Sequence, residues 1–326
     1  MASTVNNAFA EFLKDSVRLE PSETLTARKS RDNLISNING FSRDDDFFNL
    51  YSDYHLKFGS FARRTKIRPL NDIDLMICIS ADGRTYKKSD EAYFVIGIER
   101  DKSNGLMTDN TKYLNSTKVI NRFIKKLGKL NDYSKAEMHK NQEAATLKLK
   151  SYIWNFDIVP CLHMDIDKFL IPDGSGNWKL TDPRIDNQRT TDINQKHKGK
   201  LLDVIRLMKY WNNRAITYNI NSYLLESMIL DVYNIKNEKE NYWVDIEFKD
   251  LLNSLSINIL YSVYDSKGIQ GDLNTFTYTE KMKISNALSE AYKKASVARE
   301  FEKDNNQKAA ILKWKEVFGD AFPDYS

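Results

Sequence analysis

Cysteine is nearly absent from this chain: two in 326 residues, Cys78 and Cys161. Both sit in apolar, strand-like runs and no C-x-x-C spacing exists. That excludes a disulfide framework and a structural zinc site, and a reducing, cytoplasmic setting is the expectation. Long hydrophobic runs are missing too. No stretch approaches the roughly 20 apolar residues of a membrane span, so no membrane partner is expected. The first residues, "MASTVNNAFAEFLKDSVRLE", scatter charge among their apolar positions, unlike a secretory signal. Excess charge of one sign is also small. A net charge of +4 and an isoelectric point near 8.7 suit a phosphate-bearing ligand but do not make a nucleic-acid-binding surface. Activation by nucleic acid is therefore not indicated. There is no internal repeat and no low-complexity tract.

What is present is enough apolar material for sizeable cores, 41% hydrophobic with 12% aromatic. The length fits one large domain or two sharing a cleft. Residues 5–19, 22–40 and 44–52 read as helical, with Ser22 as N-cap and Gly40 as stop for the middle one. The pattern then changes. "YHLKF" alternates Tyr54, Leu56 and Phe58. "IDLMICIS" is almost continuously apolar, as a buried strand is. "EAYFVIGIE" (91–99) reads as a further strand. Residues 110–130 form an amphipathic helix on Val119, Ile120, Phe123, Ile124 and Leu127. "ATLKLKSYIWNFDIVPCL" gives two strands, the second stopped by Pro160. Beyond residue 165 the periodicity is helical, in "KGKLLDVIRLMKYWNNR", "NSYLLESMILDVY", 280–303 and 307–318. "PDGSGNWKLTDPR" (172–184) is a loop by its turn residues. The expected class is α+β, a sheet-bearing lobe followed by a helical one.

The chemistry concentrates in "KFGSFARRTKIRPLNDIDLMICI" (57–79). Side chains two apart on a strand share a face, so Asp72 and Asp74 project together. Paired carboxylates at a strand start suit Mg²⁺, which takes oxygen ligands and keeps substrate phosphates in its shell. Asp157, alone among apolar residues in "NFDIVP", needs a partner or an ion and is the candidate third acid. A bare D-x-D is common. The chain carries a second copy in "HMDID", Asp165 and Asp167, which lies past Pro160, lacks a Gly-Ser turn and reads as solvated surface, with His163 a packing or surface residue. The first copy differs by its preceding turn. Gly59 lets a phosphate approach the backbone, and the Ser60 hydroxyl and nearby N–H groups can hold it. Arg63, Arg64, Lys66 and Arg68 read as a solvated loop that also attracts an anionic substrate.

A glycine-serine turn, a spacer and an acid-hydrophobic-acid strand resemble the DNA polymerase β-like nucleotidyltransferase superfamily. More closely, "GSFARRTKIRPLNDIDLMICI", "WNFDIVPCL", "IRLMKYWNN", "SYLLE" and "ILKWKEVFGDAFP" together resemble the bacterial cGAS/DncV-like nucleotidyltransferases, the SMODS family. The resemblance runs from about residue 40 to the C-terminus. One departure is Arg64, where relatives often carry glycine before the threonine. The resemblance implies a polymerase β-like core with a mixed sheet (41–170), a helical lobe of the OAS/cGAS-like kind (171–326), N-terminal helices bridging them (1–40) and an active site in the cleft between. It implies Asp72, Asp74 and Asp157 as catalytic ligands of two Mg²⁺ ions, with Mn²⁺ an alternative. It implies Gly59 and Ser60 as the phosphate turn, Lys209 and Ser222 on the donor triphosphate, and Tyr223 stacked on the donor base. The implied activity joins nucleoside triphosphates into a cyclic di- or trinucleotide, whose diffusion to a separate effector serves anti-phage (CBASS) signalling, by a monomeric enzyme. Three rivals stand beside it: a linear nucleotidyltransferase of the poly(A) or tRNA type, a non-catalytic nucleotide- or RNA-binding pseudoenzyme, and a nucleotidyltransferase acting on a small molecule or a target protein, which the "KWKEVFG" resemblance disfavours. On the residues alone, Lys209 reads rather as a solvated helix face, Ser222 as an N-cap and Tyr223 as core, and the resemblance reverses that preference.

Overall fold

The computed structural model describes residues 2–44, 46–90, 92–97, 105–133, 136–215, 219–238 and 241–326. The chain divides into two compact units: a sheet unit of residues 21–63 and 70–184, and a helical unit of 1–20, 64–69 and 185–326. The α+β class holds. The first helix, α1 (Val5–Phe12), is capped by Thr4, whose side chain accepts from the Asn7 N–H. A π-helical turn, Leu13–Val17, prolongs it.

In the sheet unit, α2 (Pro21–Asn39) starts at a proline, whose missing N–H costs nothing in a first turn. Ser22 is thus inside the helix rather than its cap. Of residues 44–52, Asp44 and 46–51 are not helical, and only Ser52 opens a short 3-10 turn. Asp44 is extended, and the segment instead buries Phe47 and Phe48, with Phe47 4.9 Å from Phe123. Aromatic burial outweighs local helical preference here. Then come β1 (Leu56–Phe58), the one-turn α3 (Gly59–Ala62), β2 (Asp72–Ile79), β3 (Thr85–Lys88) and β4 (Tyr93–Ile96). Of the strand expected over 91–99, Glu91, Ile98 and Glu99 lie outside the described residues. The amphipathic stretch is α4 (Ser116–Leu127), capped by Asn115. Next are β5 (Glu137–Asn141), β6 (Ala144–Lys148), β7 (Asn155–His163), β8 (Phe169–Pro172) and β9 (Trp178–Thr181).

The nine strands form one mixed sheet in the order β1-β2-β7-β8-β9-β4-β3, with β6 also on β7 and β5 on β6. Among the described residues, only strands β2 and β7 run parallel. Pro160 does not stop β7, which continues to His163. It falls in the gap between Ile158, the last partner of β6, and Leu162, the first partner of β8. A missing N–H there removes no ladder bond on that side. The stretch 172–184 is a loop only in part. Asp173 accepts from the N–H groups of Ser175, Gly176 and Asn177 to make a tight turn. Trp178 then opens β9, fully buried, with its indole N–H on the Leu114 carbonyl at 2.9 Å.

In the helical unit, α5 (Pro183–Lys196), whose first two residues still belong to the sheet unit, leads to α6 (Leu201–Ala215), α7 (Ser222–Ile235), α8 (Val244–Asn258), α9 (Tyr278–Lys303) and α10 (Gln307–Phe318). Helix α9 opens on a capping box between Thr277 and Glu280. The core joins α1 to the C-terminal helices: Phe9 packs edge-on to Trp314 at 4.9 Å, and Phe12 to Tyr210 at 4.9 Å. The short segment 64–69 is tied into this unit. Ile67 enters its core, and the Arg68 guanidinium donates to the Lys14 carbonyl at 2.9 Å and to Glu20 at 2.8 Å.

Candidate active site

The acids are positioned by strand register. Asp74 on β2 is paired with Asp157 on β7, and Asp72 with Asn155. Neighbouring strands lie about 4.8 Å apart and alternate side chains share a face. Asp72, Asp74 and Asp157 therefore stand on one face at the N-terminal ends of two parallel strands. Ile73 and Phe156 are buried on the other face. Further along the acid face the strands carry Met76, Cys78, Val159 and Cys161, an apolar cluster that anchors both strands.

Gly59 is brought to the acids by β1, where Phe58 pairs with Asp74. Its φ is +72°, and a Cβ added there would stand 1.8 Å from Asp74 Oδ2. Only a residue without a side chain fits. Ser60 follows, half-buried. Asp157 receives a hydrogen bond at 2.6 Å from the Thr146 hydroxyl, its cross-strand neighbour on β6. Thr146 is buried, and the bond holds one carboxylate oxygen in place. Sequence reasoning passed over it, although it is the lone hydroxyl among the buried positions of β6.

These residues suit a divalent cation by donor type and placement: three oxygen-donor side chains, on one face, at adjacent register positions. Among the described residues no group of three or more His, Cys, Asp or Glu is already gathered as a metal cage. The strand register sets the three acids on one face.

The other expected residues belong to the helical unit. Lys209, on α6, is not a solvated face. Its ammonium meets Glu226 Oε1 on α7 at 2.7 Å, with the two side chains 6% and 3% exposed. The Thr65 hydroxyl donates to the same oxygen at 3.0 Å. Ser222 is exposed at the first position of α7, and the cap is Asn221, which accepts from the Tyr223 N–H. The Tyr223 hydroxyl reaches Asp186 at 2.9 Å and Asp265 at 2.8 Å, beside Lys267. The motif glutamate of "SYLLE" was visible as a charge inside an apolar helical run. Asp186, Asp265 and Lys267 carry no local signal, being brought together by tertiary structure alone.

The basic run is anchored rather than free. Arg68 is tied down as described, and Arg206 donates to the Arg64 carbonyl. Arg64 has φ +61°, a left-handed conformation that glycine adopts without cost. The second D-x-D is surface: Asp165 accepts from the Tyr86 hydroxyl at 3.1 Å, and Asp167, 71% exposed, from His163 at 2.9 Å. His163 packs on Tyr54 with ring centroids 3.8 Å apart.

No family model matches the chain. A probable cyclic nucleotide synthase of Bacillus cereus is 42% identical over 335 aligned residues, covering 100% of this chain and 99% of that protein. A cyclic AMP-AMP-AMP synthase of an Acinetobacter species is 20% identical over 200 residues, 60% of this chain and 57% of that one. Among solved structures, Escherichia coli CdnC with ATP superposes with a TM-score of 0.70 at 18% identity, covering 98% of both chains. The Vibrio cholerae cyclic AMP-GMP synthase DncV superposes with 0.65 at 12% identity, over 99% of this chain and 98% of that one. These two share its fold.

Proposed function

We propose, from the premise that this chain belongs to the bacterial cGAS/DncV-like nucleotidyltransferases, that it joins nucleoside triphosphates into a cyclic di- or trinucleotide with release of pyrophosphate. The product is a diffusible second messenger that switches on a separate effector in anti-phage defence. The observation that carries the reading is the β2–β7 register, which sets Asp74 beside Asp157 with Asp72 on the same face. No membrane-crossing helix stands against it: among the described residues none is long and apolar enough.

Each residue then has a task. Two Mg²⁺ ions, or Mn²⁺, held by Asp72, Asp74 and Asp157, would acidify the acceptor hydroxyl and stabilise the leaving pyrophosphate. Asp157, steered by Thr146, takes the proton of the acceptor 2′ or 3′ hydroxyl as that oxygen attacks the donor α-phosphate in line. Gly59 admits a phosphate beside Asp74, and the Ser60 hydroxyl donates to it. Ser222 supplies a second hydroxyl to the donor phosphates, and Lys209 a compact positive charge whose aim Glu226 sets. Tyr223 stacks on the donor base. The linear intermediate turns over in place, and a second transfer closes the ring.

The test is to incubate the protein with the four common triphosphates and Mg²⁺, treat with phosphatase, and record a mass spectrum. A cyclic product has no terminal phosphate and survives. A product trimmed by phosphatase makes the enzyme a linear nucleotidyltransferase, and no product at all makes it a pseudoenzyme. Asp74→Asn removes the product while leaving the thermal melt unchanged; near-normal turnover in that variant overturns the assignment.

A further inference from the structure

Tyr223 is held by more charge than a packing tyrosine needs. Its hydroxyl meets carboxylates of Asp186 and Asp265. The Lys267 ammonium lies 4.2 Å from the ring centroid. It is bonded to the Tyr223 hydroxyl, to Asp186 Oδ2 at 3.1 Å and to Asp265 Oδ1 at 3.0 Å. The three charged side chains are deeply buried, 3% exposed for Lys267, 0% for Asp265 and 12% for Asp186. Asp265 is fixed in turn by the backbone N–H groups of Lys267 at 3.2 Å, Ile269 at 3.2 Å and Gln270 at 3.0 Å. Burying an ammonium and two carboxylates is costly unless each is bonded, and an apolar side chain would pack against a ring as well. What the charges add is direction. The ring is gripped by its hydroxyl, beside which the cation lies. Among the described residues no other aromatic ring stacks on it.

We propose that Lys267, clamped by Asp186 and Asp265, is a positioning residue that fixes Tyr223 by its hydroxyl as a preorganised stacking platform for the base of a bound nucleoside triphosphate. The inference rests on the reading of Tyr223 as the base-stacking residue. A ring already fixed in orientation loses no freedom when the base arrives.

Steady-state kinetics with a purine triphosphate as the varied substrate test this on the full chain. Lys267→Gln keeps a hydrogen-bonding side chain without the charge. It should raise KM by roughly 2- to 13-fold and leave kcat within about twofold. Lys267→Arg, which keeps the charge, should recover most of the loss. An unchanged KM for Lys267→Gln, with only a lower melting temperature, overturns the proposal and leaves the cluster a stabilising one. Should Lys267→Gln fail to fold, Asp186→Asn loosens the same clamp, and an unchanged KM there overturns the proposal equally. Tyr223→Ala separates the two levels. If it leaves KM unchanged, the stacking reading itself fails and the proposal falls with it. If it raises KM while Lys267→Gln does not, the stacking reading stands and the proposal alone falls.

Discussion

The Asp74 carboxylate occupies the space that a side chain at residue 59 would need, its Oδ2 only 1.8 Å from where a Cβ would be. The turn and the acid strand are thus one construction, joined by the Phe58–Asp74 pairing of β1 with β2. Gly59→Ala forces Asp74 to move and places a Cβ in a left-handed conformation, which costs about 1–2 kcal/mol. A displacement of a catalytic group by about 1 Å can lower rate about a hundredfold. Initial rates of product formation and a thermal melt should show a large loss of activity with a modest loss of stability. Full activity in Gly59→Ala would mean that Asp74 is not positioned by this turn.

Thr146 makes a second, independent test of the acids. Thr146→Val preserves shape on β6 and removes the 2.6 Å bond to Asp157. A neutral donor to a carboxylate contributes about 1.5–3 kcal/mol. The expected result is a rate lowered by about tenfold, as an unguided carboxylate samples other rotamers, with the melt shifted by a few degrees. The rate loss should persist when Mn²⁺ replaces Mg²⁺. A rate equal to that of the parent protein would remove Thr146 from the site.

Glu226 and Lys209 form a buried pair whose members depend on each other. Taking one partner from a buried ion pair costs about 3–5 kcal/mol. Glu226→Leu and Lys209→Met should each destabilise the protein by roughly that amount, and the double variant by less than the sum. Denaturant titration of the three variants gives the coupling. Additive losses would mean that the 2.7 Å contact contributes nothing to stability.

How much of this could be read beforehand depends on how local each cause is. The acid strand was legible because alternation along β2 is a property of neighbouring residues. Asp157 was marked as a candidate by being a lone acid among apolar residues, but that it stands beside Asp74 rather than one position away is a register, set by the whole β2–β7 ladder. Residues 44–52 were misread because burial of Phe47 and Phe48 against Phe123 is a long-range effect that no helical window contains. Pro160 was misread for the opposite reason: a sound local rule, that proline leaves a strand, yields where the neighbouring strands leave a gap. Helix α8 went unread despite Phe248, Leu251, Leu252 and Leu255, all fully buried, at helical spacing. The Tyr223 clamp draws its members from α5, α7 and the loop after α8, so no single stretch announces it.

The last expectation concerns pH. The Cys78 backbone N–H donates to His55 Nδ1 at 3.1 Å, so that nitrogen carries no proton, and Nε2–H is left to donate to Asn39 Oδ1 at 3.0 Å. Burial opposes the charged ring and lowers its pKa from the ordinary 6.5 to about 4, against a weaker opposing pull from Asp53. A proton on Nδ1 would also break the bond from Cys78. Between pH 6.5 and 4 the unfolded chain therefore binds a proton at His55 that the folded chain refuses, and stability rises with pH across that window. Stability from this residue is complete above pH 6.5 and falls as the pH drops toward 4, by about 2 kcal/mol once partial exposure is allowed for. The depressed acids act lower. Burial opposes ionisation of Asp265, but the Gln270 N–H and the Lys267 ammonium outweigh it and hold its pKa at about 2 against 3.8. Its contribution survives to below pH 4 and is lost only as the pH falls toward 2. His55→Gln keeps an acceptor for Cys78 and a donor for Asn39 without titrating. Melting temperatures taken between pH 7.5 and 4.5 should fall more steeply for the parent protein than for this variant. Parallel curves would show that His55 takes up its proton in the folded state as readily as in the unfolded chain.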